Sequence, residues 1–265
     1  MKPILFGLLL AGMLSIVSGS QAELRQDPVL ADILQQAGME GCLIVMEVHR
    51  ERTGVSNELR CQERSVPAST FKIVNALIAF ETGVVRGDER FPWNKTRYPL
   101  EAWEKDLTLQ EAMAVSSVPV FQEVARRIGQ QRMADWVTRL RYGNAQTGDQ
   151  VDRFWLEGPL SISPLEQVRF MARLARGQLP VAERSLMALR RLMPQEEVEQ
   201  GHLFGKTGWA TAAKPMIGWY VGWVEEKGGP LVTFAVNVTM NSLEQAPLRK
   251  SLAMAALRHV WMLDH

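Results

Sequence analysis

The chain is predicted to be an α+β protein. One central antiparallel sheet is built from both termini and flanked by terminal helices, with a mostly helical subdomain inserted. Three observations carry this. Strand-like segments gather near the two ends (Gly41 to Val48, Leu203 to Thr207, Met216 to Val224, Leu231 to Val238). From about Phe91 to Arg191 the apolar residues recur with helical period, and Pro247 to Leu263 reads as a closing helix. With 265 residues, 46% hydrophobic, one substantial core is affordable. A single domain over 23–265 follows, with its sheet part over about 23–66 and 200–265 and its helical part over about 67–199. A site is expected where the two parts meet.

Met1 to Ala22 reads as a secretory signal: Lys2 is the positive start, Ile4 to Val17 the apolar stretch, and Ser20-Gln21-Ala22 the small-residue cleavage site. Its apolar run is short for a membrane span, and no later segment is longer, so the mature protein is expected to be soluble and secreted or periplasmic. Asp27-Pro28 starts a helix running to about Ala37. Gly41 to Val48 and Ser56 to Arg64 read as a strand pair joined around Glu51-Arg52-Thr53-Gly54. Centred near residue 52, that hairpin sets Cys42 opposite Cys61, and an oxidising compartment then favours a cross-strand disulfide.

A helix carrying Ser69 follows and ends near Gly83. Leu107 to Ala114, Val120 to Ile128, Arg132 to Leu140 and Pro164 to Ala175 are the clearest later helices. Tyr142 to Gly158 is a Gly- and Asp-containing covering loop. Gly228-Gly229-Pro230 turns the chain between the last two strands.

A formal net charge of +1 leaves no electrostatic footprint for nucleic acid. The four histidines (His49, His202, His259, His265) have no metal-ligand spacing, and two cysteines cannot build a zinc cluster. No G-x-S-x-G elbow is present. Gly205-Lys206-Thr207 has the ending of a phosphate-binding loop, but only three residues separate Gly201 from Gly205 and a strand follows, so the nucleotide reading fails. Glu166 reads as a favourable first-turn acid.

The chemistry concentrates at Ser69-Thr70-Phe71-Lys72. Residues three apart share a helix face, so the Lys72 amine can reach the Ser69 hydroxyl. The following run (Ile73, Val74, Ala76, Leu77, Ile78) leaves almost no polar face and argues for burial. Burial disfavours the ammonium, and a neutral lysine can activate a serine. The bland alternative is a helix N-cap serine with a lysine nearby. Lys206-Thr207-Gly208 adds a cation, a hydroxyl and a glycine that lets a ligand approach the backbone. Ser116-Ser117-Val118 adds a second hydroxyl and an apolar residue before a helix.

Together these elements resemble the penicillin-recognising serine enzymes, and among them the class D (oxacillinase-type) serine β-lactamases. Pro67-Ala68-Ser69-Thr70-Phe71-Lys72, Ser116-Ser117-Val118, Tyr142-Gly143-Asn144, Phe154-Trp155-Leu156-Glu157-Gly158 and Lys206-Thr207-Gly208 occur in the order of that family. The resemblance implies hydrolysis of the β-lactam amide through an acyl-ester on Ser69, and hence β-lactam resistance. It implies that carbon dioxide carboxylates Lys72, whose carbamate is the general base, and no other cofactor. Val118 and Phe71 would wall that group, and the Trp155 indole N–H would bond it. Ser116, with Lys206, would relay a proton to the leaving nitrogen. The backbone N–H groups of Ser69 and Trp209 would form the oxyanion hole. Arg249, with Thr207 and Gly208, would bind the substrate carboxylate. The residues around Trp103 and the segment after Trp209 would shape substrate choice. Two alternatives share these motifs: a β-lactam sensor that acylates without turnover, and a cell-wall transpeptidase or carboxypeptidase, which usually carries S-x-N in place of S-x-V.

Overall fold

The computed structural model describes residues 23–226, 228–229 and 231–262. The segment read as a secretory signal, together with Pro230 and Leu263, lies outside them. Nine strands form among the described residues: β1 (Glu23–Gln26), β2 (Gly41–Glu47), β3 (Arg52–Val55), β4 (Arg90–Phe91), β5 (Leu107–Thr108), β6 (Gln195–Val198), β7 (Gly201–Ala210), β8 (Ile217–Glu226) and β9 (Leu231–Thr239). Seven make one sheet in the order β1-β3-β2-β9-β8-β7-β6, so the two ends of the chain meet at the β2–β9 pair. That pairing places the sequence's two strand-rich ends in one sheet. Every pair in it is antiparallel except β1 with β3, which is parallel.

The helices are α1 (Pro28–Gln36), α2 (Glu58–Gln62), α3 (Lys72–Thr82), α4 (Leu109–Ala114), α5 (Val118–Ile128), α6 (Gln130–Arg139), α7 (Pro164–Ala175), α8 (Glu183–Leu192) and α9 (Leu248–Met262). Asp27 caps α1 by accepting from the Val29 N–H, and Pro28 at the first position has no N–H to satisfy. One face of the sheet packs on α1 and α9 through Leu30, Leu34, Leu43, Val236, Leu252 and Leu257. The other face meets the helical part, where α7 crosses β9 and β8. At the centre of that part, every residue of α3 from Lys72 to Ala79 is buried. Gly83, at φ 68°, closes α3 in the left-handed conformation that glycine adopts without strain.

The expected strand from Ser56 to Arg64 is not formed. Pairing stops at Val55, and Asn57 accepts from the Arg60 N–H to start α2. Cys42 and Cys61 are disulfide-bonded, but the bridge joins a strand to a helix, with a Cα–Cα distance of 5.1 Å. The hairpin argument therefore named the right partners for the wrong local structure. The sheet also reaches back to Gln195 through β6, and α8 joins the helical part.

Candidate active site

Ser69 sits on a single 3-10 turn, Ala68–Phe71, that runs directly into α3. Ala68 holds φ 49°, a conformation that costs a non-glycine residue about 1–3 kcal/mol. Its N–H donates to the Trp155 carbonyl at 2.9 Å, so the covering loop holds the turn in place. The turn is gripped from below as well. Thr70 Oγ1 donates to the Pro67 carbonyl at 2.8 Å and accepts from the Gln167 side-chain amide at 3.0 Å.

Lys72 Nζ lies 2.6 Å from Ser69 Oγ. The lysine is fully buried, with its amine 5.6 Å from the centre of the Phe121 ring. Burial, and next the cation of Lys206, push its pKa well below the ordinary lysine range. The fully buried Trp155 stacks on Phe71, the residue before Lys72, with ring centroids 5.4 Å apart. Its indole N–H has no hydrogen-bond partner among the described residues. A buried amine pushed toward its neutral form, with an orphaned donor on the ring stacked on the preceding residue, suits an acceptor built onto that amine.

From the opposite wall, Lys206 Nζ donates to Ser116 Oγ and to the Thr207 carbonyl, both at 2.9 Å. Burial, then the cations of Arg249 and Lys250, lower the Lys206 pKa to about 7. Ser116 ends the turn after α4 at φ 56°, fixed by the Ser116 N–H to the Met113 carbonyl and the Ser117 N–H to the Ala112 carbonyl. Val118 begins α5 immediately after. β7 passes close to the nucleophile's turn at Gly208, where a Cβ would lie 3.1 Å from Thr70 Cγ2 and 3.2 Å from the Pro67 carbonyl oxygen. Glycine is required there for closeness, not for φ.

Ser69, Ser116, Val118, Thr207, Gly208, Trp209 and Arg249 line one cleft of about 590 Å³. Lys72, Lys206 and Trp155 are buried. Arg249 is held at the start of α9 by its Nη1 donating to the Gly208 carbonyl at 2.6 Å and its Nε to Ala246 at 2.9 Å. Burial lowers its pKa, so an anion that restores its solvation is favoured there. Glu166 instead caps α7 with Ser163 and pairs with Arg64, as a first-turn acid should. Sequence reasoning missed Pro99, Leu100 and Leu243 in the cleft wall and Gln167 beneath the turn. None belongs to a motif, and only the tertiary packing brings them in. Among the described residues, no His, Cys, Asp or Glu group is arranged to hold a metal.

Fold and site together define a penicillin-recognising serine enzyme. The family model described as "Penicillin binding protein transpeptidase domain" matches residues 40–257. The chain is 37% identical to the β-lactamase OXA-5 of Pseudomonas aeruginosa over 81% of this chain and 82% of that one. It is 36% identical to the β-lactamase OXA-48 of Klebsiella pneumoniae, over 83% of each. The crystal structure of FUS-1 (OXA-85), a class D β-lactamase from Fusobacterium nucleatum subsp. polymorphum, superposes with a TM-score of 0.86. That alignment has 33% identity and covers 89% of this chain and 98% of that one. The chain belongs to the class D β-lactamase family.

Proposed function

We propose that the protein hydrolyses the β-lactam amide of penicillins and related antibiotics, through an acyl-ester on Ser69, and so confers β-lactam resistance. The observation that carries this is the 2.6 Å approach of a fully buried Lys72 amine to Ser69 Oγ. Ser69 Oγ attacks the lactam carbonyl and the C–N bond breaks. The backbone N–H groups of Ser69 and Trp209 bind the developing oxyanion, a contribution of about 2.7–4 kcal/mol per donor in comparable sites. Ser116 gives its proton to the leaving nitrogen and regains one from Lys206, which at about 7 exchanges protons near neutral pH. Water then cleaves the ester and frees Ser69.

The residues around Lys72 fit an N-carboxylated lysine. Only a neutral amine adds carbon dioxide, and burial keeps Lys72 neutral. The orphaned Trp155 indole N–H would bond the added carboxylate, and Phe71 and Val118 would wall it. When present, that carbamate supplies an anionic general base for both acylation and deacylation. Arg249, with Thr207 and Gly208, binds the substrate carboxylate on the sheet side of the cleft. Export through residues 1–22 would place the enzyme in the periplasm or outside the cell, the compartment in which a disulfide persists. No described helix is long and apolar enough to cross a membrane.

The test is turnover of a chromogenic cephalosporin by purified protein, with and without added bicarbonate. Many turnovers per enzyme are expected. One equivalent of stable acyl-enzyme with no turnover would replace this reading with that of a sensor.

A further inference from the structure

A second cleft, of about 400 Å³, lies beside the catalytic one, and Trp103 lines both. Trp103 is a fixed partition. Its indole N–H donates to the Val115 carbonyl at 3.0 Å, and the Tyr98 ring stands edge-on to it at 6.3 Å. The remaining walls of the second cleft include Trp93, Tyr98, Pro119 and Val120. Trp93 is held in turn by its indole N–H on the Thr96 carbonyl at 2.8 Å and by the Lys95 amine 4.7 Å from its ring centre.

The cleft also carries charge: Lys105 stands in its wall, and its two arginines are already matched. Arg126 pairs with Asp152 and Glu123, and Arg127 pairs with Glu89 and Glu123. The paired arginines therefore offer a free anion little, whereas a flat ring gains stacking area against Trp93, Tyr98 and Trp103. The two clefts share Trp103 in their linings, which points to an occupant that reaches the second from the first. A β-lactam whose carboxylate sits at Arg249 presents its acylamino group on the other side of the scissile amide. Pro99, Leu100 and Trp103 wall the same cleft, Trp103 bonded to the Val115 carbonyl next to Ser116.

We propose that this second cleft is an extended subsite that takes the distal aryl ring of a β-lactam acylamino side chain long enough to pass Trp103. The proposal rests on the β-lactamase reading above. It makes substrate length beyond the first ring a determinant of KM, and it assigns Trp93 and Tyr98 to specificity although neither touches the catalytic cleft.

The experiment compares benzylpenicillin with its analogue bearing a second phenyl ring para on the first. Both are assayed with the wild-type protein, with Trp93→Leu and with Tyr98→Ala. Wild type is expected to show a KM several-fold lower for the two-ring substrate, at similar kcat. Trp93→Leu should raise that KM about three- to ten-fold, the range of one aromatic contact, and leave benzylpenicillin unchanged, whereas Tyr98→Ala, which also frees Trp103, should raise the two-ring KM by more than that of benzylpenicillin. Equal KM values in wild type, or parallel losses on both substrates, would overturn the subsite. Failure of wild type to hydrolyse either penicillin would instead strike the β-lactamase reading itself.

Discussion

The side-chain amide of Gln167 donates to the hydroxyl of Thr70 at 3.0 Å, so a residue of α7 fixes the turn that carries the nucleophile. The same amide donates to the Tyr142 hydroxyl at 3.1 Å, and all three side chains are fully buried. The contact joins positions 97 residues apart in sequence. Gln167→Leu keeps the volume and removes both bonds, at about 0.5–1.5 kcal/mol each because Thr70 retains its bond to the Pro67 carbonyl. We expect kcat/KM to fall at least ten-fold, per active site counted by acylation with a penicillin, alongside a lower Tm. An unchanged rate per titrated site would reduce Gln167 to a packing residue.

The Cys42–Cys61 bridge ties β2 to α2 across a sequence separation of 19. A loop of that size loses about 3 kcal/mol of denatured-state freedom in the chain-entropy picture. Replacing both cysteines by alanine should lower the urea midpoint accordingly while leaving kcat intact, since neither lines the catalytic cleft. A large loss of kcat in the folded variant would show that the bridge positions the site.

Some of this was legible in sequence and some was not, for identifiable reasons. Asp27-Pro28 marked the start of α1, because capping chemistry is local. The motif residues Ser69, Lys72, Ser116 and Lys206 come together because each sits at a fixed place on its element: a turn into a helix, the turn before the next helix, and a strand. The hairpin reading failed at Ser56 to Arg64. Asn57 followed by Glu58 is a helix start, and that local signal outweighed the symmetry of the cysteines. β1 and β6 are short and polar, and exist because β3 and β7 offer them an edge. Gln167 and Trp93 carry no signal along the chain, since their significance lies in contacts that only folding makes.

Lys206 also sets a pH dependence of stability. Its folded pKa of about 7 lies below the ordinary 10.5, so between those values the unfolded chain binds the extra proton. Stability should therefore rise with pH across that window, by up to a few kcal/mol in carbon dioxide-depleted buffer, and the penalty is complete below pH 7. Lys206→Met should flatten the rise in urea midpoint between pH 7 and pH 10. A slope equal to wild type would place the Lys206 amine in an ordinary environment.

Arg249→Ala removes the cation at the sheet side of the cleft. KM for a penicillin should rise ten-fold or more, with a smaller change in kcat, because a charge-assisted contact to the substrate carboxylate is lost in ground and transition states alike. A fall confined to kcat would assign Arg249 to the chemical step.

Trp155→Phe retains the ring against Phe71 and deletes a buried donor that has no partner among the described residues. Turnover should drop and recover partly with added bicarbonate, as expected if the indole N–H stabilises a carboxylated Lys72. Bicarbonate-independent loss would detach Trp155 from that group.

The central claim is that Ser69 is acylated and then released with the help of Lys72. Intact-mass spectrometry during reaction with benzylpenicillin follows both events in one experiment. Wild-type protein should gain one penicillin mass and return to its free mass as substrate is exhausted. Lys72→Ala should acylate slowly and keep the adduct. Wild-type protein that keeps its adduct, or a Lys72→Ala variant that sheds it at the wild-type rate, would contradict the account.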